Sequence, residues 1–213
     1  MNFSGKELHG GKMSKEKSFK IPKWNMEWQH EMDDTKPMNI EIMSKNLLDM
    51  KEIFDKYKIP FVLIFGGLLG IIRKGNFIPH DHDLDIACFG GTPKKHHWKM
   101  RWVKNELKNK GFFIVDNSCY RCKTDFFIRD RERIDIFWFD KIDDEWIFNN
   151  DVRYPIRFFD NLEEINFLGT KFKVPSNAEE FLEMTYGKKW RIPNPDFKFL
   201  SLNPKEVKKR NKK

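Results

Sequence analysis

Asp83 and Asp85 are separated by one residue and follow a Gly66-Gly67 pair and the stretch Gly75-Asn76-Phe77-Ile78-Pro79. Alternate residues of a strand point to the same side. A strand through this segment would therefore project both carboxylates together and turn Leu84 and Ile86 into a core. Like charges side by side repel unless something neutralises them, and a divalent cation held by oxygen ligands is the usual remedy. Glycines let a backbone approach a phosphate closely. The combination suits metal-dependent phosphotransfer. A third carboxylate, Asp135, lies between Ile134 and Ile136, and a buried aspartate needs a cation, a hydrogen-bond network or a metal beside it. If its strand neighbours that of Asp83 and Asp85, ~4.8 Å away, the three carboxylates can share one or two magnesium ions that bridge a nucleotide's phosphates. Taken alone, Asp83 and Asp85 also fit a solvated turn.

The elements that must position these groups can be read from periodicity. Ile40, Met43, Leu47, Met50, Phe54 and Tyr57 recur at steps of three and four, which predicts a helix with Pro37 in its first turn and Pro60 stopping it. Residues 61–65 read as a buried strand ended by Gly66 and Gly67, and residues 68–74 as a short helix closed by Gly75. A strand over 84–89 is broken by Gly90 and Gly91, and a helix carrying Trp98, Trp102, Val103 and Leu107 ends at Gly111. Strand-like segments follow at 112–115, 120–128 and 133–139. In the last, Ile134, Ile136 and Trp138 face one way, and Arg133, Asp135, Phe137 and Phe139 the other. Asp143-Asp144 forms a turn before a strand over 146–148. Residues 154–175 read as irregular apart from a hairpin over 167–172, and Asn177 caps a final helix over 178–186 that Gly187 ends. The pattern predicts an α+β (mixed α/β) fold, a mixed β-sheet packed with helices, over residues 37–195. A loosely ordered basic arm (1–36), whose Trp24 and Trp28 pack its end on the domain, and a basic tail (196–213) flank it.

Composition agrees with one domain. The 213 residues are 39% hydrophobic and 15% aromatic, enough for a packed core. No stretch approaches the roughly 20 apolar residues that span a bilayer, and residues 1–23 are polar and lysine-rich without an apolar signal segment. The expectation is a cytoplasmic protein, and three cysteines fit a reducing compartment. Cys119 and Cys122 form a lone CxxC pair, which reads as two ordinary strand cysteines rather than a zinc site. The net charge of +8 gathers at the ends, in Lys12, Lys15, Lys17 and Lys20 and again from Lys205 to Lys213. Such runs are solvated ends or peripheral contacts for an anionic membrane. No RNA-binding signature accompanies them, so no specific nucleic acid is expected. His96 and His97 fall on an exposed, lysine-rich helix face.

Several spaced motifs, in order, resemble the LicD/fukutin-type family. Gly66-Gly67-Leu68-Leu69-Gly70-Ile71-Ile72-Arg73, Gly75 to Pro79 and Asp81-His82-Asp83-Leu84-Asp85-Ile86 resemble its signature of a double glycine, an arginine and an aspartate cluster. Arg133-Ile134-Asp135-Ile136-Phe137 resembles its H-I-D-I-F strand. Phe167-Leu168-Gly169 with Val174-Pro175 resembles its hairpin, and Glu180-Phe181-Leu182 with Tyr186-Gly187 and Trp190 its closing helix. The similarity runs from about Ile40 to Pro195. It implies a nucleotidyltransferase-like fold and transfer of a phospho-alcohol, such as phosphocholine or ribitol phosphate, from a CDP-linked donor to a glycan or lipid-linked sugar. Carried over, Asp83, Asp85 and Asp135 would be the catalytic carboxylates and ligands of Mg2+ or Mn2+, with Asp135 also a candidate base. Gly66 and Gly67 would offer backbone N–H groups to phosphates, and Arg73 and Lys74 would neutralise charge on the transferred group.

The chain departs from the signature at three places. His80 stands for a tryptophan, His82 for the middle aspartate, and Leu68 for the small polar residue after the double glycine. His82 points away from the aspartates if the strand has begun, or else joins the metal site and shifts its preference toward manganese or zinc. Two other readings keep the scaffold. One is transfer of a nucleoside monophosphate to a hydroxyl, which releases pyrophosphate rather than CMP. The other is a non-catalytic basic binding protein, against which the intact aspartate set argues.

Overall fold

The computed structural model describes residues 36–89, 97–116, 124–148, 152–194 and 197. The basic arm before Lys36, the basic tail apart from Phe197, Cys119, Cys122, His96 and the side chain of His97 lie outside the described residues. The first helix, α1 (Ile40–Lys56), starts later than proline placement suggests. Asn39 is its N-cap, its side chain accepting from the N–H groups of Glu41 and Ile42, and Pro37 lies two residues before the cap. Met43, Leu47, Met50 and Phe54 are fully buried, as their spacing requires. The helix ends before Pro60, where Lys58 takes a left-handed φ of 54° and the Ile59 N–H donates to the Phe54 carbonyl.

Strand β1 (Phe61–Leu63) is shorter than the apolar run, and helix α2 (Phe65–Lys74) begins inside it. The double glycine is therefore the first turn of a helix rather than the end of a strand. Gly75, at φ 68°, closes that helix as expected. Strand β2 (Asp83–Phe89) precedes α3 (His97–Asn109), which Gly111 ends at φ 88°. Then come β3 (Phe113–Val115), β4 (Thr124–Arg129), β5 (Glu132–Ile142) and β6 (Glu145–Phe148). Residues 154–175, expected to be largely irregular, are instead built. They hold the end of β7 (Val152–Pro155), α4 (Arg157–Asp160) and a hairpin of β8 (Glu163–Phe167) and β9 (Thr170–Val174). Leu168 and Gly169, at φ 50° and 75°, make the two-residue turn. Helix α5 (Ala178–Tyr186) has Asn177 as N-cap and Gly187 beyond its end.

The strands form a mixed sheet in the order β1-β2-β5-β4-β3, extended from β5 through β6 and β7. Only β2 and β5 run parallel among these pairs, with Asp85 opposite Asp135. Leu84, Ile86, Ile134 and Ile136 are fully buried on one side of the two strands. On the other side Phe65, Phe137, Phe139, Tyr154, Phe159 and Phe181 pack ring against ring, with centroids 4.8–6.4 Å apart. This aromatic floor fixes α2, α4 and α5 against the face that carries the aspartates. Among the described residues no helix is long and apolar enough to cross a membrane.

Candidate active site

Two strands and one helix end build the site. Asp83 and Asp85 leave the same face of β2, and Asp135 leaves β5 beside them because the parallel register sets it opposite Asp85. One ligand oxygen of each carboxylate lies within 4.8 Å of the others. A one-residue slip of either strand would turn its carboxylates toward the core and its isoleucine or leucine side chains away from it, so the hydrophobic pattern fixes the cluster. Burial, reinforced by Asp83, Asp135 and Asp81, pushes the Asp85 carboxyl well above the ordinary carboxylate range. Arg133 partly offsets this crowding. Its guanidinium donates to the Asp83 carboxylate, and its Nε lies 2.7 Å from Asp135 Oδ1.

The donor set is all carboxylate oxygen, and its mutual repulsion is of the kind a divalent cation relieves, so these residues fit Mg2+ or Mn2+. His82 stands apart from that set. It is exposed, precedes β2, and hydrogen-bonds the Lys36 carbonyl through Nδ1 at 2.8 Å.

A cavity of about 970 Å³ opens on the carboxylates. Asp81, Asp83, Asp85 and Asp135 line it, together with Arg73, Tyr186, Lys189 and Trp190. Gly66 lines it from the first turn of α2, where N–H groups have no intrahelical acceptor. Gly67 lies in the same turn and packs closely, since a Cβ there would fall 2.4 Å from Leu84 Cδ1. Arg73 donates to the Ile192 carbonyl at 3.3 Å, and desolvation lowers its pKa. Lys74 is exposed and does not line the cavity.

Sequence reasoning left out Asp81, Tyr186 and the structural part of Arg133. Asp81 precedes β2, so strand alternation does not place it. Burial first, and Asp83 next, push its carboxyl up to about 6. A Cβ on Gly66 would lie 2.4 Å from Asp81 Oδ2, so glycine is what lets this carboxylate sit against α2. Tyr186 ends α5 inside the cavity, and burial raises its hydroxyl pKa well above the ordinary value. Nothing local in the sequence places it there.

The fold and the site together define a nucleotidyltransferase-like domain with an acidic, cavity-facing centre. The chain belongs to the LicD/FKTN/FKRP family, whose nucleotidyltransferase-domain model matches residues 58–177. Two curated relatives are the ribitol-5-phosphate transferases FKTN of Macaca fascicularis and Homo sapiens, each 25% identical, over 189 and 171 residues. These matches cover 78% and 70% of this chain but only 37% and 33% of the relatives, so the chain spans about a third of their length. Among solved structures, the antibiotic-resistance factor ANT(2″)-Ia in solution shares the fold at a TM-score of 0.50 and 12% identity, covering 82% of this chain and 91% of that one. A crystal structure of ANT(2″)-Ia with adenylyl-2″-tobramycin is 13% identical at a TM-score of 0.49, covering 80% and 95%.

Proposed function

We propose that this chain is a metal-dependent transferase that moves a phospho-alcohol from a CDP-linked donor to a hydroxyl of a glycan or similar acceptor. The observation that carries the reading is the convergence of Asp83, Asp85 and Asp135 on a cavity that also receives the first turn of α2. Similarity to ribitol-5-phosphate transferases supports a phospho-alcohol as the cargo, ribitol phosphate or phosphocholine being the candidates.

In this reading Asp83, Asp85 and Asp135 would hold Mg2+ or Mn2+, which would supply charge neutralisation to the donor's diphosphate. The N–H groups at the start of α2 donate to a phosphate oxygen. Arg73, which also lines the cavity, offsets the charge that develops on the transferred phosphoryl group. Asp135 takes the proton of the acceptor hydroxyl, whose oxygen then forms the new bond to phosphorus. The bond from that phosphorus to the CMP oxygen breaks, and CMP leaves with the electron pair. Tyr186 and Trp190 give the cavity an apolar side against which a base or sugar face can rest.

Thermal unfolding with CDP-ribitol, CDP-choline or CDP-glycerol, each with Mg2+, Mn2+ or EDTA, tests the binding half of this reading. At ~100 times its dissociation constant, a ligand specific for the native state adds about 2.7 kcal/mol of stability. Metal-dependent stabilisation by one donor, lost in Asp83→Asn, is the expected outcome. Stabilisation by ATP or UTP alone would move the reading to nucleotidyl transfer.

A further inference from the structure

Arg133 occupies an unusual place for a cation. Register sets it opposite Asp83 on the neighbouring strand, and alternation points it to the same side as Asp135. Its guanidinium donates to Asp83, and its Nε sits 2.7 Å from Asp135 Oδ1, so one side chain engages two of the three clustered carboxylates. The Phe126 ring of β4 lies 5.4 Å from the guanidinium carbon and supports it from the side. The group is well covered, with 14% of the side chain exposed, while its partners Asp83 and Asp135 are 24% and 10% exposed. Arg133 does not line the cavity, so it is placed to act on the carboxylates rather than on a substrate.

We propose that Arg133 is a built-in competitor for the divalent cation: it holds Asp83 and Asp135 in place and sets metal affinity low. This rests on the reading of Asp83, Asp85 and Asp135 as metal ligands. Two physical points carry it. The Asp83 oxygen that accepts from the guanidinium is not available to a metal without giving up a charge-assisted hydrogen bond, nor the Asp135 oxygen without giving up an ion pair at 2.7 Å. A fixed positive charge among the ligands also repels a second, doubly charged cation at any distance the cluster allows. The same arginine keeps three crowded carboxylates compatible with a folded chain before metal arrives. Arg133 is thus a positioning residue, and its removal separates two properties. Metal should bind more tightly, and the metal-free protein should become less stable.

The test is titration of the full chain with Mn2+ alone, read by calorimetry or by the loss of free-Mn2+ paramagnetic signal. Three proteins are compared: wild type, Arg133→Gln and Arg133→Lys. Thermal unfolding in EDTA and in Mn2+ accompanies each titration. Removing one positive charge beside the ion should tighten Mn2+ binding roughly tenfold in Arg133→Gln. That variant should melt lower than wild type in EDTA and recover most of the difference in Mn2+. Arg133→Lys keeps the charge and should stay near wild-type affinity, which also answers the case where the glutamine variant fails to fold. If Arg133→Lys then bound Mn2+ about as tightly as expected for the glutamine form, charge competition would be wrong. Equal or weaker Mn2+ binding in Arg133→Gln would overturn the inference while leaving the carboxylate site standing. Failure of all three proteins to bind Mn2+ would overturn the carboxylate reading, and this inference with it.

Discussion

At the residue scale, three aspartates share one side of two strands with Asp81 beside them in the cavity, and function and stability pull them in opposite directions. Asp85 is held where its charge is disfavoured by burial and by Asp83, Asp135 and Asp81. Replacing it with asparagine should therefore raise the melting temperature in EDTA, by about 1 kcal/mol or ~2–4 °C, while removing metal-dependent stabilisation. Asp83→Asn and Asp135→Asn should each reduce turnover roughly 100-fold or more, measured as initial rates under saturating donor. The three catalytic candidates were legible in the sequence because strand alternation is a local rule: Asp-x-Asp and Ile-Asp-Ile reveal which side chains share a face. Asp81 precedes β2, so that rule does not cover it. Tyr186, more than a hundred positions along the chain, enters the cavity through packing of α5, and no local pattern encodes that.

At the scale of elements, α2 decides where the site's phosphate-facing edge lies. It starts at Phe65, earlier than the sequence suggests, because Phe65 completes an apolar run and looks like strand. In the structure Phe65 adopts φ 47°, a region that bulky residues seldom occupy, and turns the chain into the helix. The rings of Phe137 and Phe181 at 5.5 and 6.3 Å hold it there, and contacts of that range are invisible to a window of neighbours. Glycines in α2 can be told apart by what a methyl would meet. Alanine in a helix gains about 1 kcal/mol over glycine. At Gly70 that gain loses, because the added Cβ would lie 2.5 Å from the Asn76 carbonyl oxygen and 2.9 Å from the Ile78 nitrogen, which are backbone and cannot swing away. Gly70→Ala should destabilise by roughly 1–3 kcal/mol in urea unfolding. At Gly66 the obstacle is the Asp81 carboxylate, a side chain, so Gly66→Ala should melt near wild type and move Asp81 instead. In α1, loss of the Asn39 cap in Asn39→Ala should cost about 1 kcal/mol by the same measurement.

At the scale of the whole molecule, the sheet order is what the sequence could not supply. Mixed sheet and flanking helices follow from the succession of elements, but the adjacency of β2 and β5 requires a long-range parallel pairing across α3, β3 and β4. The sequence made convergence of the carboxylates conditional on that adjacency, and the fold meets the condition. A buried polar knot pins the other side of the molecule. Arg129 donates to Asn46 Oδ1 at 2.7 Å, to Asp49 at 2.6 Å and to the Lys110 carbonyl at 3.1 Å. Burial works against the Asp49 charge, but hydrogen bonds from Arg129 and Lys110 prevail and hold its carboxyl below the ordinary 3.8. A carboxyl with a depressed folded-state pKa contributes stability that is present above the unfolded value and lost as pH falls through the folded one. Wild type should therefore lose more of its urea midpoint than Asp49→Asn does between pH 7 and pH 3, and be the more stable of the two at pH 7.

The central claim is that the clustered aspartates carry phospho-alcohol transfer from a CDP-linked donor. Its most direct test is product analysis: purified chain, a CDP-alcohol, a glycan acceptor, and Mg2+ or Mn2+, with CMP and the modified acceptor quantified together. The account predicts CMP release in step with acceptor modification, abolished by EDTA and by Asp83→Asn. Pyrophosphate from a nucleoside triphosphate in place of CMP, or transfer that survives Asp83→Asn, would contradict it.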